Sequence, residues 1–317
     1  MRFCVGVNQL PYINRIGINV TAGRGIIAGG YNGSAYVNTI QYILIPILSN
    51  SIDFGDLTLA RGNVGSISSS VRAVFGGGYD GSYYNTIDYV FIASNGNASD
   101  FGDLSSSRAS IGCVSSNVRG VFAGGNSGTG AGDYKNVIDY IIIATTGNVV
   151  DFGDLTASRS RLAGVSSSTR GCFCGGYDAG PTYHDTIDYI TIATNGNATD
   201  FGNLTVARSF VCGFSSSTRG VIGGGTTGSY QNVIDYITIA SVGNATDFGD
   251  LTAGRGLLSG LSNKIRGIFT GGYDGSNRLN IIEYVTIAST GNSADFGDLL
   301  AGISVPGGAS DSHGGLS

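Results

Sequence analysis

The sequence predicts an all-β fold in which six four-stranded units close into one ring, a six-bladed β-propeller. A segment that begins with arginine and ends in a glycine pair occurs six times, at intervals of 47 to 51 residues. Its leading arginines are Arg24, Arg72, Arg119, Arg170, Arg219 and Arg266. Each unit holds four short apolar runs separated by turn residues. Runs such as residues 187–192 are too short and too rich in β-branched residues for helices.

The order of motifs is the same in every unit. An Asn-x-Ile-Asp-Tyr-like run follows the glycine pair, and its copies begin at Asn38, Asn85, Asn136, Asp185, Asn232 and Asn280. An Asp-Phe-Gly-Asp-Leu motif or a close variant comes next, at Asp53, Asp100, Asp151, Asp200, Asp247 and Asp295. A second arginine then opens a run of small residues, at Arg61, Arg108, Arg159, Arg208 and Arg255. We assign a structural role to the repeated residues Arg72, Asp88, Phe101, Arg119, Asp139, Phe152, Arg170, Asp188 and Phe201.

The boundaries of the ring are less well defined by the repeat. With a first strand at residues 15–20, six complete units occupy residues 15–299 and form one domain. Residues 1–14 and 300–317 are then tails. The second tail resembles another first strand, so either one tail adds a strand that closes the ring, or the two termini together form a partial seventh blade.

These motifs resemble the kelch repeat. The features that match are the arginine at Arg61, the pair Gly77 and Gly78, the run from Asn85 to Tyr89 and the aromatic residue Phe101. The resemblance covers nearly the whole chain and implies a kelch-type propeller. It departs at the fourth strand, where the tryptophan usual in that family is phenylalanine in all six copies.

The amino-acid sequence of the repeats is similar to that of kelch-like virion proteins of tailed bacteriophages. The runs Ile-Asp-Tyr-Ile-Thr-Ile-Ala and Gly-Asn-Ala-Thr-Asp-Phe-Gly-Asp-Leu carry this resemblance, together with the closing residues 310–315. It implies a structural protein of the virion, such as a tail, fibre or surface-decoration protein. Its partners would be other virion proteins and, as a further expectation, a host surface glycan or receptor. The chain would be present in multiple copies and assemble in the host cytoplasm.

Composition and charge exclude several classes of partner. The net charge is −5 and only two lysines occur, so we expect no nucleic-acid partner. No run of 18 apolar residues is present, and residues 1–8 are too soon polar for a signal peptide, so we expect neither membrane insertion nor secretion. The cysteines are odd in number and lack framework spacing, which favours buried free thiols at Cys4, Cys113, Cys172, Cys174 and Cys212.

The sequence gives little indication of a metal site or a catalytic site. Two acids in each Asp-Phe-Gly-Asp motif do not supply the six to eight oxygens of a calcium site. Matched copies of aspartate and arginine instead predict ion pairs and capped turns. His184 and His313 lie far apart without a nucleophile motif. We therefore expect a non-enzymatic protein without catalytic residues, metal or cofactor. A carbohydrate-active or oxidative enzyme and a cellular kelch-type adaptor are the alternatives.

The loops between the second and third strands differ most among the repeats. They combine tyrosine with Gly, Ser, Asp and Asn, which is the composition of adaptable binding loops and also of ordinary turns. Six such loops on one face of a ring would form a binding platform, and plain surface turns remain the alternative. The candidate ligand- or partner-binding residues are Tyr31, Tyr36, Tyr79, Tyr83, Tyr84, Tyr134, Tyr177, Tyr183, Tyr230 and Tyr273.

Overall fold

A computed structural model describes residues 23–316 of the chain and confirms the six-bladed β-propeller. Blades 2 and 3 consist of β4 (Gly65–Ser68), β5 (Arg72–Gly76), β6 (Thr86–Phe91) and β7 (Ser99–Asp103), then β8 (Gly112–Ser115), β9 (Arg119–Ala123), β10 (Val137–Ile142) and β11 (Val150–Asp154). Blades 4 and 5 consist of β12 (Ala163–Ser166), β13 (Arg170–Cys174), β14 (Thr186–Thr191) and β15 (Thr199–Asn203), then β16 (Cys212–Ser215), β17 (Arg219–Gly223), β18 (Val233–Thr238) and β19 (Thr246–Asp250). Blade 6 consists of β20 (Ser259–Ser262), β21 (Arg266–Thr270), β22 (Ile281–Thr286) and β23 (Ala294–Asp298). Two short 3₁₀ turns lie at Ala131–Asp133 and Gly314–Leu316.

Blade 1 closes the ring with strands from both ends of the described chain. Its outer three strands are β1 (Arg24–Ala28), β2 (Thr39–Leu44) and β3 (Ile52–Asp56), and its innermost strand is β24 (Gly307–Ser310). Strand β24 pairs antiparallel with β1. Of the two alternatives that the sequence left open, the C-terminal tail therefore adds the closing strand, and no seventh blade forms within residues 23–316. The first strand expected at residues 15–20 lies outside the described residues.

The core lies between the blades, because each sheet packs one face on each neighbouring sheet. The second strand of every blade is buried at four consecutive positions, as in β5, and this explains why these strands read as continuous apolar runs. Small residues permit the close approach of the sheets. A Cβ atom at Gly65 would lie 2.6 Å from Sγ of Cys113 in the next blade.

The arginine that begins each second strand links its blade to the next one. The guanidinium of Arg72 lies 4.6 Å from the centre of the Tyr89 ring and donates a hydrogen bond to the carbonyl of Ile143 in blade 3. Phe101 of the Asp-Phe-Gly motif is 2% exposed and packs edge-on against Tyr89. Equivalent contacts surround Arg119 and Phe152, and Arg170 and Phe201. These stacks join local strand sequence to the packing between blades.

Buried ion pairs form a second connection between blades. In five of the six repeats, the second arginine pairs with an acid in the third strand of the following blade at 2.8–3.1 Å, with almost no solvent exposure on either side. The pairs are Arg61–Asp88, Arg108–Asp139, Arg159–Asp188, Arg208–Asp235 and Arg255–Glu283. A β-bulge immediately before each acid redirects its side chain into the interface.

The closing interface replaces both partners of the ion pair together. Ile303 stands where the other repeats have the second arginine, and Gln41 stands where they have the acid. The amide oxygen of Gln41 accepts hydrogen bonds from the backbone N–H of Leu300 and from the hydroxyl of Ser51. Both Gln41 and Ile303 are 3% exposed. The joint replacement avoids a buried charge without a counter-ion, which is strongly destabilising.

Candidate functional site

The central channel is narrow. The innermost strands of the six blades line it with small residues, mainly glycine and serine, around a cavity of about 70 Å³. A space of this size accommodates a few water molecules at most. The two ends of the channel differ, and the candidate functional surface lies at only one of them.

At one end, the serines that end the innermost strands form a ring of hydrogen bonds. They are Ser68, Ser115, Ser166, Ser215, Ser262 and Ser310. Five of their hydroxyls donate to the backbone carbonyl of the serine in the preceding blade, at 2.6–3.0 Å. The ring is interrupted between Ser68 and Ser115, where the C-terminal segment enters.

His313 occupies this interruption. Its Nε2 lies 3.2 Å from both the hydroxyl of Ser115 and the carbonyl oxygen of Ser68. Its Nδ1 accepts a hydrogen bond from the N–H of Gly315, so the proton of the neutral ring sits on Nε2. Burial lowers the pKa of His313 to about 4. Because a Cβ atom at Gly315 would lie 1.9 Å from the carbonyl oxygen of Ser115, only glycine fits there, and residues 313–315 plug this end of the channel.

The opposite end is a mouth formed by one residue from each blade. We call these the mouth residues: Asn63, Ser110, Arg161, Phe210, Leu257 and Val305. Each N–H donates to the carbonyl of the mouth residue in the preceding blade at 2.6–3.2 Å, so six backbone hydrogen bonds form a circle. All six residues have φ between 54° and 61°, and every other residue of positive φ in the described chain is glycine. Their side chains line a cavity of about 90 Å³.

The variable tyrosine loops surround this mouth. The residue that follows each glycine pair bridges to the residue that precedes a mouth residue, as Tyr79 bridges to Gly62 beside Asn63. The loops and the mouth therefore lie on the same face of the ring, which we call the tyrosine face. The serine ring and His313 lie at the other end of the innermost strands.

Nine of the ten candidate tyrosines form a belt on this face. Ring centres lie 4.8–6.4 Å apart in the pairs Tyr31–Tyr36, Tyr36–Tyr79, Tyr79–Tyr83, Tyr134–Tyr177, Tyr177–Tyr183 and Tyr230–Tyr273. Arg278 lies over both Tyr273 and Tyr31, and Asn126 donates to the hydroxyl of Tyr83. Tyr84 lies outside the belt, and its hydroxyl donates to Asp80. That these tyrosines bind a ligand stays a prediction.

On the tyrosine face, the acids have hydrogen-bond partners, whereas two arginines have no acidic partner among the described residues. The acids are used within their own loops: Asp274 accepts two backbone N–H groups, and Asp178 accepts two and contacts His184 at 3.0 Å. These hydrogen bonds hold the pKa of Asp274 below its usual value. By contrast, no carboxylate of residues 23–316 forms an ion pair with Arg161 or Arg278. Both guanidinium groups are held between aromatic rings instead.

The cysteines within the described residues pack in the core as free thiols. Cys172 and Cys174 are fully buried, and burial raises the pKa of Cys172 to about 12. Cys4 lies outside the described residues. Among residues 23–316, no three His, Cys, Asp or Glu side chains come together as a metal-binding group.

The fold and this site define the chain as a six-bladed β-propeller with one aromatic face and one plugged channel end. No protein-family model matches the chain, and the comparison with curated proteins returned no match. In the described part of the chain, no helix is both long and apolar enough to cross a bilayer.

Two features of the site, the mouth and the plug at His313, are not predicted by the sequence motifs. The mouth residues share no residue type, so no motif marks them, although each stands two residues after the second arginine or its replacement Ile303. That fixed position was the available signal. The plug at His313 gives a weaker signal, because the other repeats have no histidine at this position.

Proposed function

We propose that this protein is a non-enzymatic structural protein of a phage virion that binds a partner through its tyrosine face. The belt of tyrosines around the mouth is the observation that carries the proposal. Tyrosine provides a large contact area at low entropic cost, and the loops that hold the belt are the segments in which the repeats differ. The repeats themselves supply a rigid disc that orients all six loops in one direction.

The virion setting is supported by the sequence resemblance to kelch-like proteins of tailed bacteriophages. In that setting the chain serves as a tail, fibre or surface-decoration protein, docked on other virion proteins. The tyrosine face then binds a host surface glycan or receptor. Individual contacts on such a face are weak, and many copies on one particle make attachment tight.

The binding role is tested with an array of neutral and acidic oligosaccharides from bacterial surfaces. The variant Tyr79→Ser/Tyr273→Ser removes two rings from the belt, and we expect it to lose at least about tenfold in affinity. The matched control is Val118→Ser/Ile265→Ser on the opposite face, where these side chains are 60% and 70% exposed. Equal binding by the two variants would contradict the role of the face.

The virion role has a separate test. Antibodies raised against the chain, conjugated to gold, are applied to purified particles from an infected culture. Labelling at one substructure of the particle supports the proposal. Particles that contain no copy of the chain, as judged by labelling and by mass spectrometry, would overturn the virion assignment and leave the binding role to be judged by the array.

A further inference from the structure

We propose that the mouth residues form a subsite for a sugar that carries a carboxylate, with Arg161 as its anchor. This inference rests on the proposed binding role of the tyrosine face and names the ligand class of that face. It is carried by three properties of the mouth: backbone strain, the distribution of polar and apolar side chains, and an unpaired cation.

The backbone of the mouth is strained in a way that glycine would relieve. A non-glycine residue with φ near 57° is disfavoured because its Cβ crowds the backbone, and the β-branched Val305 is the least suited to it. The chain uses glycine at all its other described positions of positive φ. Six side chains are nevertheless present at the mouth, and strain of this kind is typical of functional sites. We infer that the side chains, and not the turn, are what this position requires.

The mouth side chains are divided into two halves. Around the ring, Asn63, Ser110 and Arg161 follow one another, and then Phe210, Leu257 and Val305 follow one another. One half thus offers hydrogen-bonding groups and a positive charge, and the other offers an apolar wall. A pyranose ring that lies across the open mouth, and not inside the cavity, matches this division, since it has hydroxyl groups at its edge and a C–H face that packs on apolar and aromatic side chains.

Arg161 provides the charge complementarity. Its guanidinium lies 4.5 Å from the centre of the Phe210 ring and 5.0 Å from that of Tyr177, which holds the side chain at the mouth. No described carboxylate pairs with it. A planar guanidinium presents parallel donors that fit a carboxylate in a bidentate manner.

The backbone of the mouth favours a saccharide over an acidic peptide. Peptides are commonly captured by main-chain hydrogen bonds to an open strand edge. At the mouth, the six N–H and six carbonyl groups already bond to one another in a circle. The groups that remain for a ligand are side-chain hydroxyl, amide, guanidinium and ring groups, which are the groups that bind polyhydroxylated ligands.

The test uses a matched pair of ligands, trigalacturonic acid and its methyl ester, and a second pair, sialyllactose and lactose. Binding to the wild-type protein is measured by calorimetry or NMR titration at millimolar ligand. We expect the acidic member of at least one pair to bind and its neutral counterpart to bind at least about tenfold more weakly. Binding of the acidic sugar should also weaken as salt concentration rises.

The variants separate the anchor from general charge. Arg161→Gln should lose about 10- to 100-fold in affinity for the acidic sugar. The affinity of Arg161→Lys should lie between those of the wild type and Arg161→Gln, because lysine keeps the charge without the bidentate fork. The control Lys264→Gln removes one positive charge at the serine-ring end and should bind like the wild type. Thermal unfolding of each variant confirms that it is folded.

The outcomes distinguish this inference from the proposed function. If sugars bind in a manner that depends on Tyr79 and Tyr273 but not on Arg161, the binding face stands and the carboxylate subsite is overturned. The same holds if an acidic peptide binds at Arg161 and no acidic sugar does. If no acidic saccharide binds the wild-type protein at millimolar concentration, the subsite is also overturned.

Discussion

The joint replacement at the closing interface leads to a prediction about the buried ion pairs. The pair Arg159–Asp188 can be rebuilt as the closing interface with three changes, Arg159→Ile, Asp188→Gln and Ala198→Ser. Each copies the residue that blade 1 uses, namely Ile303, Gln41 and Ser51. The serine belongs to the set because blade 6, whose acid is the longer Glu283, also has a serine ten residues later, whereas blades with aspartate have alanine or valine.

The magnitude follows from the contacts that each change removes. Arg159 is 0% exposed, lies 2.9 Å from Asp188 and donates to the carbonyls of Phe173 and Thr186. Arg159→Ile alone leaves the carboxylate of Asp188 buried without its counter-ion, and we expect a loss of about 3–5 kcal/mol in unfolding free energy. Asp188→Gln alone leaves the guanidinium of Arg159 buried without its counter-ion and should lower the unfolding free energy by a similar amount. The triple variant leaves no buried charge without a partner and should lose only about 2 kcal/mol in unfolding free energy. This loss comes from the smaller packing volume and from the missing hydrogen bonds to the two carbonyls.

The assay is urea unfolding, followed by far-ultraviolet circular dichroism and by tyrosine fluorescence, since the chain has no tryptophan. The two signals must coincide before a free energy is extracted. Ala198→Ser alone is the control for the added hydroxyl and should change stability little. If the triple variant loses as much as the two charge-removing variants combined, the partners are not coupled and the reasoning is refuted.

Three further predictions use the same unfolding assay. Phe152→Ala should cost about 3–5 kcal/mol, because the ring is 2% exposed between blades, and a loss below about 1 kcal/mol would contradict a core role. Gly102→Ala should cost about 1–3 kcal/mol more than Gly147→Ala. The two φ values are similar, but only at Gly102 would a Cβ atom lie within 2.5 Å of another backbone atom. Equal losses would argue against a close contact between blades. His313 has a pKa of about 4 in the fold, below the usual value for histidine. The contribution of its neutral ring to folding stability is therefore fully present at pH values above that usual pKa and is lost as pH falls towards 4. The wild type should therefore lose about 1.4 kcal/mol per pH unit across this window relative to His313→Asn, and parallel pH profiles would exclude titration of the plug.

The repeats show why the fold could be predicted in such detail. Strand formation depends on local residue type and on a period of two, and both are visible in runs such as residues 187–192. Six copies of one pattern also predict six equivalent blades, because neighbouring units bury one another's faces. The ion pairs were foreseeable for the same reason, since matched arginines and acids recur at fixed spacing.

The candidate site was predictable only in part. Tyrosine enrichment in the variable loops was visible in the sequence, and the structure brings nine of the ten tyrosines into one belt. The mouth was not predicted, because its residues have nothing in common except their position in the ring. A positive φ at Val305 or Phe210 has no local signal, since neither residue favours that conformation.

The sequence by itself determined the repeating unit of short strands and its six copies, because these depend on short-range residue preference and on repetition. Only the tertiary structure decided how the ring closes, which residues meet at the mouth and where His313 lies. The hydroxyl of Ser68 bonds to the carbonyl of Ser310, 242 residues away. Such contacts are set by the closure of the whole ring, in which six blades must meet without an open edge, and no local stretch of sequence contains that condition.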